Sequence, residues 1–303
     1  MPALLQLLTK GAARTWAVGA IALLTTAGVL TSCSTGGTKY VSLGDSYTAG
    51  PLIPKQQLDP LGCLRSDHDY PHLTAAALHL QLTDVSCSGA ETKDMTSPQS
   101  VPLGGTNPPQ FDALDKNTKV VSLGIGGNDI DFSTIVENCL ASSPSGPTRV
   151  GQTCKSYYTS GGVDQLAAVI SATAPKVAAV ITGIRQRAAS GVKIFVMGYP
   201  ALLPATGNGC FPQMPITTTD VPYLRQVALE LNGMLRSVAN ANSATFVDTY
   251  TSGLPFNACT SASTRYVEPI IPGNPAAPVH PNARGMAHDA ELLTAAIQKA
   301  GVG

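Results

Sequence analysis

The sequence carries no excess charge of either sign: Lys plus Arg and Asp plus Glu each number 19 in 303 residues, and no long run of one sign occurs. Nothing in it draws a polyanion, so nucleic acid is not an expected partner. CxxC pairs and Cys/His clusters at zinc spacing are missing as well, which removes a zinc motif. The run Gly124-Ile125-Gly126-Gly127 departs from GxGxxG, so a dinucleotide site has no support. Neither an internal repeat nor a linker divides the chain. What remains is 44% hydrophobic, enough for the core of one large globular domain.

The amino terminus reads as an export signal. Lys10 and Arg14 precede an uncharged stretch, Thr15 to Ser32, that ends in small residues, so residues 1–32 are set apart from the fold. The stretch is also long enough for an uncleaved membrane anchor. Leu30-Thr31-Ser32-Cys33 resembles a bacterial lipobox, in which the signal is cut before a lipidated cysteine. That reading puts the protein on the outer face of the cell membrane; plain secretion with an unmodified Cys33 is the alternative. A single acyl chain holds a membrane only marginally, so two or three chains on Cys33 would be needed. Residues 33–38 are small and polar beyond the cysteine and suit a flexible tether, leaving 39–303 as the folded domain.

Seven cysteines are an odd number, and removing Cys33 leaves six: Cys63, Cys87, Cys139, Cys154, Cys210 and Cys259. An exported chain keeps disulfides, so three bridges are expected. Of the roughly 15 connectivities that six cysteines allow, sequential pairing closes the shortest loops: Cys63 with Cys87, Cys139 with Cys154, and Cys210 with Cys259.

Short β-branched or aromatic runs stopped by glycine recur at residues 39–44, 119–124 and 193–198, with weaker candidates at 82–87 and 244–248. Helical patterns occupy 71–80, 162–189, 221–239 and 282–300, the second interrupted by Pro175, which predicts a kink or two helices. Alternation of strand and helix predicts an α/β fold with a parallel sheet and helices on both faces. Sites in such folds gather at the carboxyl ends of the strands. Segments near 96–109, 141–162 and 249–281 are too long for tight connections and read as disulfide-pinned loops around a site.

Two strand ends carry unusual polar runs, Gly44-Asp45-Ser46-Tyr47 and Gly126-Gly127-Asn128-Asp129. A serine at a strand-to-helix turn can be exposed and can sit among free N–H groups that stabilise negative charge, although taken alone such a serine is an ordinary helix cap. Asn128 follows two glycines that let the backbone turn sharply, and its amide donates a hydrogen bond without carrying charge. Near the carboxyl terminus, Val279-His280-Pro281-Asn282 places a histidine just before a helix, where it can act as a general base. Asp45 and Asp129 flank these positions as caps or braces. His68 and His72 lie beside Asp67 and Asp69, but Pro71 breaks a shared helical face, so loop and helix-start roles are expected rather than a metal site.

In this order, GDSY, the isolated Gly89 in Ser86-Cys87-Ser88-Gly89-Ala90, GGND and the late His-Pro-Asn resemble the four blocks of the SGNH, or GDSL-type, hydrolases, and the match spans nearly all of residues 39–303. The resemblance implies a three-layer α/β/α sandwich with a central, mostly parallel five-stranded sheet. It also implies Ser46 as nucleophile, His280 as base, and an oxyanion hole of the Ser46 N–H, the Gly89 N–H and the Asn128 side chain. Three disulfides make the chain most similar to the secreted bacterial lipase and esterase branch.

One position departs from the family. Its DxxH pattern would need an acid three residues before His280, and Ala277 stands there. The expectation is a Ser46/His280 dyad with the Ala277 main-chain carbonyl orienting the imidazole; Asp248 or Glu268 supplying a carboxylate is the alternative. Hydrolysis of an acyl ester, a lipid above all, follows without cofactor or metal and with a monomer expected. A carbohydrate or cell-wall O-acyl esterase or acyltransferase is the rival enzyme. A noncatalytic lipid- or glycan-binding surface lipoprotein is the rival of another class.

Overall fold

Lys39 to Gly44 alternates its side chains between two apolar layers and forms β1 (Lys39–Gly44) of the computed structural model, which describes residues 37–102, 104–140 and 151–302. The signal segment 1–32 and Cys33 lie outside the described residues. In chain order come α1 (Ser46–Ala49), α2 (Tyr70–Leu78), β2 (Gln81–Asp84) and a small ladder of β3 (Gln99–Ser100) with β4 (Thr106–Asn107). Then follow β5 (Val120–Gly124), α3 (Phe132–Cys139), α4 (Cys154–Tyr158), α5 (Gln165–Arg187) and β6 (Lys193–Met197). The chain finishes with α6 (Val221–Ala241), β7 (Thr245–Val247), α7 (Thr249–Gly253) and α8 (Ala283–Lys299).

The main sheet is five-stranded and parallel throughout, in the order β2-β1-β5-β6-β7. Val41, Leu43, Val121, Leu123, Ile194 and Val196 point to one face, where α5 and α6 cover them with Ile181, Ile184 and Leu235. Tyr40, Val120, Phe195 and Met197 point to the other, where α8 supplies Met286, Leu293 and Ile297. Strands covered on both faces favour apolar residues at nearly every position, which is why these runs read as continuous rather than alternating, and the buried Ser42 and Ser122 in β1 and β5 bond to each other. The chain direction across the sheet reverses between β1 and β5, and their register sets Gly44 opposite Gly124 at the carboxyl ends. This switch point is where the two polar motif runs leave the sheet.

One strand boundary differs, and at Pro175 the two-helix outcome is ruled out. β2 ends at Asp84 instead of reaching Cys87. α5 is one helix with Pro175 inside it. Pro175 lies on the exposed face, as does Ser171, so the carbonyl left without its N–H partner is on the water side. The disulfides join Cys63 to Cys87, Cys139 to Cys154 and Cys210 to Cys259, the pairing with the shortest loops.

Candidate active site

Ser46 is the first residue of α1, directly after the Asp45 cap. Asp45 Oδ1 accepts the Tyr47 N–H at 2.9 Å, and the Asp45 N–H donates to Gly124 O at 2.9 Å, so the turn is tied to the end of β5. α1 has only four residues. The expected helix terminus is therefore a single turn, and individual N–H groups, not a macrodipole, are what it offers to negative charge.

His280 reaches this turn from the loop before α8. Its Nε2 lies 2.8 Å from Ser46 Oγ, and its Nδ1 lies 2.7 Å from Pro278 O. A carbonyl only accepts, so Nδ1 carries the hydrogen and Nε2 is left to accept from the serine hydroxyl. Burial of the ring lowers the His280 pKa below its ordinary value, partly opposed by the bond to Pro278.

The expected acceptor was the Ala277 carbonyl, and the structure corrects this. Ala277 O takes the main-chain N–H of His280 at 3.2 Å, closing a turn, and so faces the backbone rather than the ring. Val279 adopts a left-handed conformation, φ 59°, which leaves the Pro278 carbonyl beside Nδ1. Neither alternative carboxylate meets the imidazole. Asp248 caps α7 and pairs with Arg236 at 2.6 Å. The buried Glu268 carboxylate accepts from Asn282, Asn274 and the Gly273 N–H.

On the facing side, Asn128 Nδ2 donates to Ala90 O at 2.9 Å, which aims the amide and, among the described residues, leaves its second N–H without a protein acceptor. Gly89, one residue earlier, has φ 81°, a conformation open to glycine and strained for other residues. The Cys87 N–H donates to Gly44 O at 3.0 Å, so this segment lies along the end of β1. Among the described residues, no protein acceptor takes the Ser46 or Gly89 main-chain N–H. Asp129 accepts from Thr92 N at 2.9 Å and from its hydroxyl at 2.5 Å, bracing the Asn128 turn against the Gly89 segment.

Two tyrosines that the motifs did not single out complete the site. Tyr47 lies against the His280 ring, centroids 4.7 Å apart, and donates to Val279 O at 2.6 Å. Tyr199, just past β6, donates to Asp45 Oδ2 at 2.5 Å and accepts the Gly127 N–H at 2.7 Å. A Cβ on residue 127 would come within 2.9 Å of the Tyr199 ring, which explains that glycine. Tyr199 follows a strand end on the same rim, a signal the sequence did contain.

From Ser46, Asn128 and His280 a pocket of about 1100 Å³, its open side included, runs between α3 and α6. Its walls are mainly apolar, with Ile135, Val136, Leu203, Ile216, Val227 and Leu231 among them, and Arg225 and Asn232 also line it. His68 contacts Asp67, and both ring nitrogens of His72 have protein partners, Asp69 at 2.6 Å and Gln57 at 3.0 Å. Asp69, His72 and Asp84 do converge within 4.8 Å, but His72 could turn to a metal only by giving up one of these bonds.

The sequence profile of the GDSL-like Lipase/Acylhydrolase family matches residues 42–288. Lipase 2 of Streptomyces coelicolor is 37% identical over 296 residues, covering 96% of this chain and 96% of that protein. An esterase of Streptomyces scabiei is 26% identical over 253 residues, covering 73% of this chain and 72% of its own. Among solved structures, the extracellular lipase of Streptomyces rimosus superposes with a TM-score of 0.69 at 23% identity, over 86% of this chain and 99% of that one. Phospholipase A1 of Streptomyces albidoflavus NA297 gives 0.67 at 23% identity over the same shares. These two likenesses show the fold.

Proposed function

The chain belongs to the GDSL-like lipase/acylhydrolase family and is a carboxylic ester hydrolase of the lipase and esterase kind; we propose that it is exported and cleaves long-chain acyl esters with a Ser46/His280 dyad. The observation that carries this reading is the 2.8 Å contact between Ser46 Oγ and His280 Nε2 at the mouth of an apolar pocket. His280 Nε2 takes the hydroxyl proton as Ser46 Oγ attacks the acyl carbon. The oxyanion that forms faces the Ser46 N–H, the Gly89 N–H and the free Asn128 N–H. Collapse breaks the bond to the alcohol, which leaves with the proton from His280. Water then attacks the acyl-enzyme, His280 accepts its proton, and the acid departs as Ser46 is restored. Carbon chains fit the apolar wall, whereas a sugar would leave its hydroxyls unpaired there.

One chain supplies every group in this scheme, which supports action as a monomer. The segment 1–32 with Cys33 supports export and display on the outer membrane face through a lipid anchor, with residues 39–303 as the hydrolase domain. Mass spectrometry of the native amino terminus tests the anchor: a diacylglyceryl Cys33 is expected, and a free thiol there removes it. The catalytic reading is tested by a fluorophosphonate probe and nitrophenyl esters of graded length. Stoichiometric labelling at Ser46 and a preference for long acyl groups are expected. Folded protein that does not label excludes Ser46 as the nucleophile, and a preference for acetyl excludes the lipid substrate.

A further inference from the structure

Tyr47 touches both halves of the reacting pair. It follows Ser46 in the chain, and its N–H is held by Asp45 Oδ1 at 2.9 Å. Its hydroxyl donates to Val279 O at 2.6 Å, the carbonyl of the peptide bond that leads into His280. Its ring lies on the His280 imidazole with centroids 4.7 Å apart and planes inclined by 33°. The ring is itself wedged by the edges of Tyr199, 5.0 Å away at 79°, and Phe132, 6.1 Å away at 82°.

The histidine loop needs such a holder. Val279 has φ 59°, where a β-branched residue is strained, and such a conformation persists only when neighbouring contacts impose it. The Pro278 carbonyl that fixes the imidazole tautomer sits on one side of this residue, and the carbonyl held by Tyr47 on the other. We infer that Tyr47 is the positioning residue that holds the His280 loop, and with it the imidazole, aligned on Ser46, an inference that rests on the dyad reading above. The ring adds a second effect. When His280 takes the serine proton it becomes a cation within about 6 Å of an aromatic face, a placement that favours the charged form.

The test compares Y47F, which keeps the ring and loses the hydroxyl, with Y47L, which loses both. Displacing a reacting group by about 1 Å costs on the order of 100-fold in rate. A fall in kcat of about 10-fold is therefore expected for Y47F and about 100-fold or more for Y47L, with KM changed less than about 3-fold. Ring ¹⁵N shifts of His280 supply the readout that a packing role would not move: one Nδ1–H tautomer in the parent protein and a tautomer mixture in Y47L. Wild-type kcat with an unchanged tautomer in folded Y47F and Y47L overturns the inference. A loss confined to KM also overturns it, making Tyr47 a wall of the pocket. Should Y47L fail to fold, Y47F decides alone, having lost one oxygen atom. A parent protein that neither turns over esters nor labels at Ser46 counts against the dyad instead, and the ¹⁵N comparison still reports on positioning.

Discussion

Glu268 and His280 meet only through their backbones: the Glu268 N–H donates to His280 O at 2.9 Å, while the Glu268 carboxylate faces away from the imidazole. Burial would raise the Glu268 pKa, but hydrogen bonds from Asn282, Asn274 and Gly273 outweigh it and hold the group below its ordinary value. Those bonds fasten the histidine loop to the cap of α8, since Asn282 also caps that helix.

Glu268 is thus expected to matter for stability and little for turnover. E268Q should lose about 2 kcal/mol of stability at neutral pH, in the range for hydrogen bonds to a charged group, with kcat within about 5-fold of the parent. The folded pKa is depressed, so the stabilisation is present above the unfolded carboxylate value and disappears as pH falls through the folded one. Urea melts of both proteins at pH 7 and in acid check this, and D248N should likewise leave kcat nearly unchanged. A hundredfold loss of kcat in either variant would reveal a hidden triad.

The pH profile of kcat/KM reports the free base. His280 must be neutral to accept the serine proton, and burial lowers its pKa with no carboxylate to raise it again. Activity should rise with pH along a single limb whose midpoint lies below the ordinary histidine value of about 6.5, then level through neutrality. A soluble short-chain ester assayed from pH 4.5 to 8 shows whether the midpoint falls there; one above neutrality would point to an anionic partner.

Asn128→Ala removes the proposed oxyanion donor and also the bond to Ala90 O. The first loss should lower kcat by about 100- to 1000-fold with KM little changed. The second should cost about 1 kcal/mol of stability. Michaelis kinetics alongside a melt separate the two, and a kcat within a few-fold of the parent would take Asn128 out of the oxyanion hole.

Stability should fall as pH rises through neutrality. Burial pushes Asp45 up to about 7 and Asp69 up to about 8. Each raised pKa contributes stability that is complete below the unfolded carboxylate value and is lost as pH climbs to the folded one. Tm at pH 5.5 should therefore exceed Tm at pH 8.5, each kcal/mol being worth about 2–4 °C in a domain of this size. D69N keeps an acceptor for the His72 N–H of the α2 cap but cannot ionise, so it should narrow the gap; an unchanged gap would remove Asp69 from the account.

Ser46, Asn128 and His280 stand out as candidates because each lies in a short local pattern, a strand end, a double glycine and a residue before a capped helix, whereas Gly89 is marked only by the resemblance to the family's second block, its positive φ being visible in the structure alone. The main strands were legible for a related reason, being apolar on both faces. The carbonyl beside His280 was not, because choosing Pro278 over Ala277 depends on the left-handed turn at Val279, and valine gives no sign of one. Tyr47 and Tyr199 escaped notice because their partners are remote in sequence, 232 residues away at Val279 and 154 away at Asp45. At Pro175 the sequence pattern leaves a kink and a break equally open, and the structure shows one helix.

The group that receives the His280 Nδ1–H is part of the main chain. An aspartate in that place disappears with one codon change and falls silent when acid protonates it. A peptide oxygen does neither: every residue that could replace Pro278 brings the same atom, and no ordinary pH discharges it. Inheritance can therefore damage this arrangement only by bending the loop that presents it, which places the vulnerability of the base in the shape of residues 277–280 instead of in the identity of a partner side chain.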